Sequence, residues 1–90
     1  MGEPATVQAG MTGGMIDPAI DRPVYLQLAD ILRRMIESGE IAPSHAIPSI
    51  TSLVQTYGVA DQTARKAVSV LRAEGLVHNV SGKGTYVTPR

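Results

Sequence analysis

The chain has 90 residues, 43% of them hydrophobic and 18% charged, with three tyrosines as its only aromatics, so it holds a single domain whose core must be aliphatic. The absence of cysteine excludes disulfide frameworks, thiolate metal sites and thiol nucleophiles, and with no apolar run near the ~20 residues of a membrane helix and no basic, hydrophobic leader the expected setting is cytoplasmic. The formal net charge is zero, yet from Gln62 onward five bases (Arg65, Lys66, Arg72, Lys83, Arg90) face one acid (Glu74), a local +4 that an acidic N-terminal part offsets.

The first 20 residues scatter Gly2, Pro4, Gly10, Gly13, Gly14 and Pro18 among small side chains without any sustained period, and 1–20 is expected to be a disordered tail before a folded domain at 21–90. Gly13-Gly14 lacks the Gly-Lys-Ser/Thr that a phosphate loop requires. From Pro23 to Gly39 the spacing of Tyr25, Leu28, Leu32, Met35 and Ile36 predicts an amphipathic helix, with Asp30, Arg33, Arg34 and Glu37 on the solvent side. A connector, Glu40 to Pro48, cannot continue that helix past Pro43 and Pro48, and Ala46-Ile47 reads as a short extended stretch.

Ser49 offers an N-cap to a second helix ending near Tyr57, with Gly58 as its stop. Only Gly58-Val59-Ala60 separates it from a third, in which Ala64, Ala67, Val68 and Leu71 fall at i, i+3, i+4 and i+7 and which ends at Glu74-Gly75. Two short helices joined by a tight glycine turn form a helix-turn-helix. Leu76-Val77-His78 and Thr85 to Val87 read as strands around the loop Asn79-Val80-Ser81-Gly82-Lys83-Gly84, a basic-tipped hairpin or wing. The expected fold is mainly α with a small hairpin, packed on Tyr25, Leu28, Leu32, Ile36, Leu53, Val54, Ala64, Val68, Leu71, Leu76 and Val87.

Several blocks in this order carry a resemblance. They are Pro23-Val24-Tyr25-Leu26-Gln27-Leu28, Ile36-Glu37-Ser38-Gly39-Glu40-Ile41, Ile47-Pro48-Ser49, Tyr57-Gly58-Val59, Thr63-Ala64-Arg65-Lys66-Ala67, Leu71-Arg72-Ala73-Glu74-Gly75-Leu76 and Gly82-Lys83-Gly84-Thr85-Tyr86-Val87. From about Arg22 to Val87 the chain resembles the DNA-binding domain of the GntR family of bacterial transcription regulators. The resemblance implies a winged helix-turn-helix that binds double-stranded DNA and represses transcription. Family members usually carry a larger effector-binding or dimerising domain after this one. Here only Thr88-Pro89-Arg90 follow the wing, so no small-molecule effector is expected of this chain. Where the family commonly has glutamate after Pro-Ser this chain has Ile50, and where it favours Ser-Arg at the head of the third helix this chain has Ala60-Asp61.

A recognition helix points its N-terminal residues at base edges, which selects Asp61, Gln62, Thr63 and Arg65, with Lys66 beside them as a base or phosphate contact or a solvated charge. Asp61 is read first as the helix cap and second as an acceptor for a cytosine amino group. Ser49 and Thr51 offer hydroxyls and amides to phosphate, Ser49 also serving as a plain N-cap. Gly82 and Gly84 allow close backbone approach to a minor groove while Lys83 neutralises a phosphate, and the same three residues also suit an ordinary hairpin turn.

His78, on the wing's first strand beside the loop, is a further phosphate candidate, although both histidines read as structural or surface residues. His45 and His78 stand 33 positions apart with no ligand-spaced Asp or Glu, and no triad, carboxylate pair or nucleotide fingerprint is present, so neither metal, cofactor nor catalysis is expected. The expected partner is a palindromic or repeated operator bound by two copies, pairing on the DNA. The alternative reading is a winged helix turned, through Ile50, Asp61 and its neutral charge, toward a protein partner.

Overall fold

A computed structural model describes residues 16–89. Three helices, α1 (Val24–Ser38), α2 (Ile50–Tyr57) and α3 (Asp61–Ala73), precede an antiparallel hairpin of β1 (Val77–Val80) and β2 (Gly84–Val87). The α1 helix lies chiefly against α3, which also carries α2 and the start of β1, so α3 is the central element of the packing.

All three helices end, and α1 and α2 begin, at residues whose chemistry predicts it. Pro23, with φ −53°, precedes the first turn of α1 and its carbonyl accepts from the amides of Leu26 and Gln27. Ser49 caps α2, its Oγ accepting from the amide of Ser52 at 3.1 Å. Gly58 closes α2 at φ 68°, ψ 32°, a left-handed conformation that lets the chain reverse into α3 within three residues. At the end of α3 the amide of Gly75 donates to the Arg72 carbonyl and that of Leu76 to the Leu71 carbonyl, the paired bonds of a Schellman turn. The residue in the C-cap position itself is Glu74, with Gly75 one place beyond.

The core is aliphatic, as the composition demands: Leu28, Leu32, Leu53, Ala64, Ala67, Leu71, Val77 and Val87 are all buried. Three residues expected there, Tyr25, Val54 and Leu76, are only half-buried, the last two packing at its margin. Their places are taken by Ala29, Ile41, Ile47, Val59 and Val77, most of them outside any helix. Ile41, Ile47 and Val59 plug the domain from its loops, and each such side chain stabilises by about 1.5–3 kcal/mol when fully buried.

The expected disordered tail at 1–20 lies, for residues 1–15, outside the described residues. Residues 16–20 are tied down, and buried Gln27 is the cause. Its Nε2 donates to the carbonyls of Asp17 (2.9 Å) and Arg22 (2.8 Å), and its Oε1 accepts from the Asp17 amide at 2.8 Å. With its amide fully satisfied, Gln27 holds residues 17–22 against α1 while Ile16 packs on the core.

The connector does form the expected extended stretch, and it adds to the hairpin. Ala46 bridges Tyr86, while Ile47 donates to Thr85 (3.0 Å), Ser44 donates to Val87 (2.9 Å) and Val87 donates to His45 (2.8 Å). The β2 strand is therefore hydrogen-bonded along both edges.

Candidate nucleic-acid interface

Helix α3 leaves one face open, and Asp61, Gln62, Arg65, Lys66 and Ser69 line it. Ala60 occupies the N-cap position and supplies no side-chain cap, and Asp61 is the first residue of the helix. The hydrogen-bonded cap expected of Asp61 is thus not what the structure shows, although its carboxylate does lie in the first turn, where it suits the helix dipole: it accepts a hydrogen bond from Arg65 Nε, one turn further on. Both side chains remain exposed. Gln62 is exposed, whereas Thr63 is half-buried and shares a cavity with Ile16, Pro18 and Val24 on the side toward α1. Lys66 is exposed, and its ammonium sits 4.5 Å from the centre of the Tyr25 ring, a cation–π contact that steers it toward the start of α1.

The wing is tighter than expected. Val80 pairs with Gly84, so the loop is only Ser81-Gly82-Lys83, and Asn79, Val80 and Gly84 belong to the strands. The Lys83 amide donates to the Val80 carbonyl at 2.9 Å, and Gly82, at φ 76°, occupies the turn position that calls for a left-handed residue. Lys83 is thereby presented at an exposed tip. His78 pairs with Tyr86 near the base of the hairpin, away from the loop, with its Nδ1 3.4 Å from Thr88 Oγ1. Among the described residues no group of three His, Cys, Asp or Glu could hold a metal ion.

Between α3 and the wing runs a groove of about 280 Å³, lined by Ile50, Arg65, Val68, Ser69, Arg72, Asn79 and Thr85. Arg65, Ser69 and Arg72 stand at i, i+4 and i+7, one stripe of the helix, and face the cross-strand pair Asn79 and Thr85, whose side chains are joined by a 3.0 Å hydrogen bond. The helix and the wing therefore border one channel. Ser49 and Thr51 are exposed at the head of α2, flanking Ile50 where it enters the groove.

Sequence reasoning did not select Ser69, Arg72, Asn79 or Thr85. The signal for Ser69 and Arg72 is their helical spacing from Arg65; nothing local marks the two wing residues, because only the fold brings them across.

The arrangement of ion pairs sharpens the charge asymmetry. Arg22 and Arg33 both bind Asp30, and Arg33 also forks onto Glu74, which fastens α1 to the end of α3. Burial pushes the Asp30 carboxyl up, but hydrogen bonds from Arg22 and Arg33, with their charges, outweigh it and hold the group below its ordinary value. Arg33 is held above its ordinary value, first by its hydrogen bond to Glu74. Among the described residues, Lys66, Arg72 and Lys83 have no acidic partner, and all three lie on α3 or the wing tip. The uncompensated positive charge is thus displayed along the channel and its two rims.

A helix-turn-helix whose second helix is open along one face and is followed by a basic-tipped hairpin defines the winged helix-turn-helix class. Within that class the chain belongs to the gntR family of bacterial regulatory proteins, whose pattern it matches over residues 24–87. It is 35% identical over 66 residues to the HTH-type transcriptional repressor NagR of Bacillus subtilis (strain 168), covering 73% of this chain and 27% of that protein. It is 36% identical over 66 residues to the mannosyl-D-glycerate transport/metabolism system repressor MngR of Escherichia coli (strain K12), with coverages of 73% and 28%. The chain thus spans little more than a quarter of the length of these relatives.

Among solved structures it is similar to the AraR DNA-binding domain in complex with operator ORX1, with a TM-score of 0.73 and 35% identity over 80% of this chain and 89% of that one. It is also similar to YtrA from Sulfolobus acidocaldarius, a GntR-family transcription factor, with a TM-score of 0.76 and 33% identity over 83% and 79% of the two chains.

Proposed function

We propose that this chain binds double-stranded DNA by sequence and represses transcription. The observation that carries the reading is the channel between α3 and the wing, lined by Arg65 and Arg72 with Lys83 at the wing tip beyond it, while Arg22 and Arg33 are paired with carboxylates away from it. The AraR domain, alike in fold and crystallised with an operator, supports it. The α3 helix enters a major groove with Gln62 and Arg65 toward base edges, Thr63 at their flank and Lys66 toward the strand nearest α1. Ser49 and Thr51 meet phosphate at the head of α2, and the Gly82-Lys83-Gly84 tip reaches the adjoining minor groove.

One small domain reads too few base pairs for a genome, so two copies act on a palindromic or repeated operator. Occupation of a promoter then excludes polymerase; the chain regulates and does not catalyse.

A salt-titrated mobility-shift assay tests this. Arg65→Ala is expected to lose roughly 1–3 kcal/mol and to relax sequence choice, and Lys83→Ala to weaken binding evenly and lower the salt slope by about 1. Parent-like binding by both variants, or no salt-dependent retention of the parent on duplex DNA, would refute the proposal, the latter favouring a protein partner.

A further inference from the structure

We infer that Asp61 is a specificity-determining residue that holds Arg65 as a reader of guanine, a role that rests on the DNA-binding function proposed above. The carboxylate stands at the first position of α3 and takes the Nε–H of Arg65 across one turn, with both side chains exposed on the open face of the helix. A guanidinium tethered through Nε keeps both terminal amino groups free, and these form a planar fork that matches guanine O6 and N7. An untethered arginine must lose its rotamer freedom on meeting a base, whereas one already oriented loses less.

Asp61 has a second consequence. Among the described residues its other oxygen, Oδ2, takes no hydrogen bond, and an ionised carboxylate accepts only. That oxygen suits a cytosine amino group beside the guanine and repels a phosphate. A carboxylate on an otherwise cationic face weakens attraction to DNA in general, so it favours the correct sequence partly by opposing the wrong ones. The exposed i,i+4 ion pair itself contributes little to stability, and the carboxylate, lying in the first turn, also suits the helix dipole.

The experiment takes duplexes selected from a random pool by the parent chain and measures binding to the best one and to copies changed at each base pair, for the parent, Asp61→Ala, Asp61→Ser, Arg65→Ala and the Asp61→Ala/Arg65→Ala double variant. Thermal melts confirm folding of each. Loss of Asp61 is expected to leave random-duplex affinity equal to the parent's or higher, while discrimination at one guanine falls at least about fivefold. In the Arg65→Ala background the same substitution is expected to leave discrimination at that position unchanged.

Equal loss of affinity on every duplex, or retention of the parent's guanine preference in both acid-free variants, overturns the inference alone. Failure of the parent to bind duplex DNA in a salt-dependent way overturns the underlying function and this role with it.

Discussion

Serine in place of Ala60 is expected to stabilise the domain by about 1 kcal/mol. The chain supplies its own reference, because Ala60 and Ser49 occupy the same N-cap position on successive helices with nearly the same backbone, φ −71°, ψ 154° and φ −67°, ψ 163°. At Ser49 the hydroxyl satisfies the amide three residues on. At Ala60 there is no such acceptor, so the equivalent amide of Thr63 has no side-chain partner and, lying in the first turn, no intrahelical one. Ala60 is exposed, and an added hydroxyl displaces nothing from the core.

For a folded unit of this size a gain of about 1 kcal/mol raises Tm by roughly 4–8 °C. Urea denaturation should show a higher midpoint at unchanged slope, and Ser49→Ala should lose a similar ~1 kcal/mol. If Ser49→Ala is destabilised as expected while Ala60→Ser melts at or below the parent, the argument that matching backbone geometry confers matching caps is refuted.

Leu53 is fully buried on an eight-residue helix that buries no other residue completely, and Leu53→Ala should cost about 3 kcal/mol by denaturant titration. Gly58→Ala should cost about 1–2 kcal/mol, because a Cβ there meets nothing within 4 Å and only the left-handed φ of 68° opposes it; Gly58→Asn should cost less. The Asp30 carboxyl is more acidic folded than unfolded, so its contribution to stability is present above its unfolded pKa and disappears as the pH falls through its folded one. Denaturation followed from about pH 6 down to about pH 2 should therefore show a shallower acid loss for Asp30→Asn than for the parent.

The helices and their limits are legible in the sequence because capping, glycine stops and a 3.6-residue period act locally. Ser49, Gly58 and the Ala64-Ala67-Val68-Leu71 stripe all sit where local chemistry puts them. The core is less legible where burial comes from loops: Ile41, Ile47 and Val59 follow no period, and Gln27 is buried only because its amide organises a segment up to ten residues upstream. Likewise Arg33 reads as a solvent-face charge, yet it spans 41 positions to reach Glu74.

At the proposed interface, Arg65 and Lys83 stand out by charge and context, while Asn79 and Thr85 enter only through strand register, shortened by a three-residue loop. The Asp61–Arg65 pair is implicit in the i,i+4 spacing, but helix entry favours reading Asp61 as a cap until the N-cap position is seen to fall on Ala60.

Because β2 is clasped between β1 and the Ser44 to Ile47 connector, the hairpin cannot swing on its base as a flap would. The separation between the lysine tip and α3 is therefore a built-in caliper. Under the proposed function, a duplex gripped by both jaws must bring its grooves to that span, and sequences that narrow or bend at little elastic cost gain preference at steps no side chain touches.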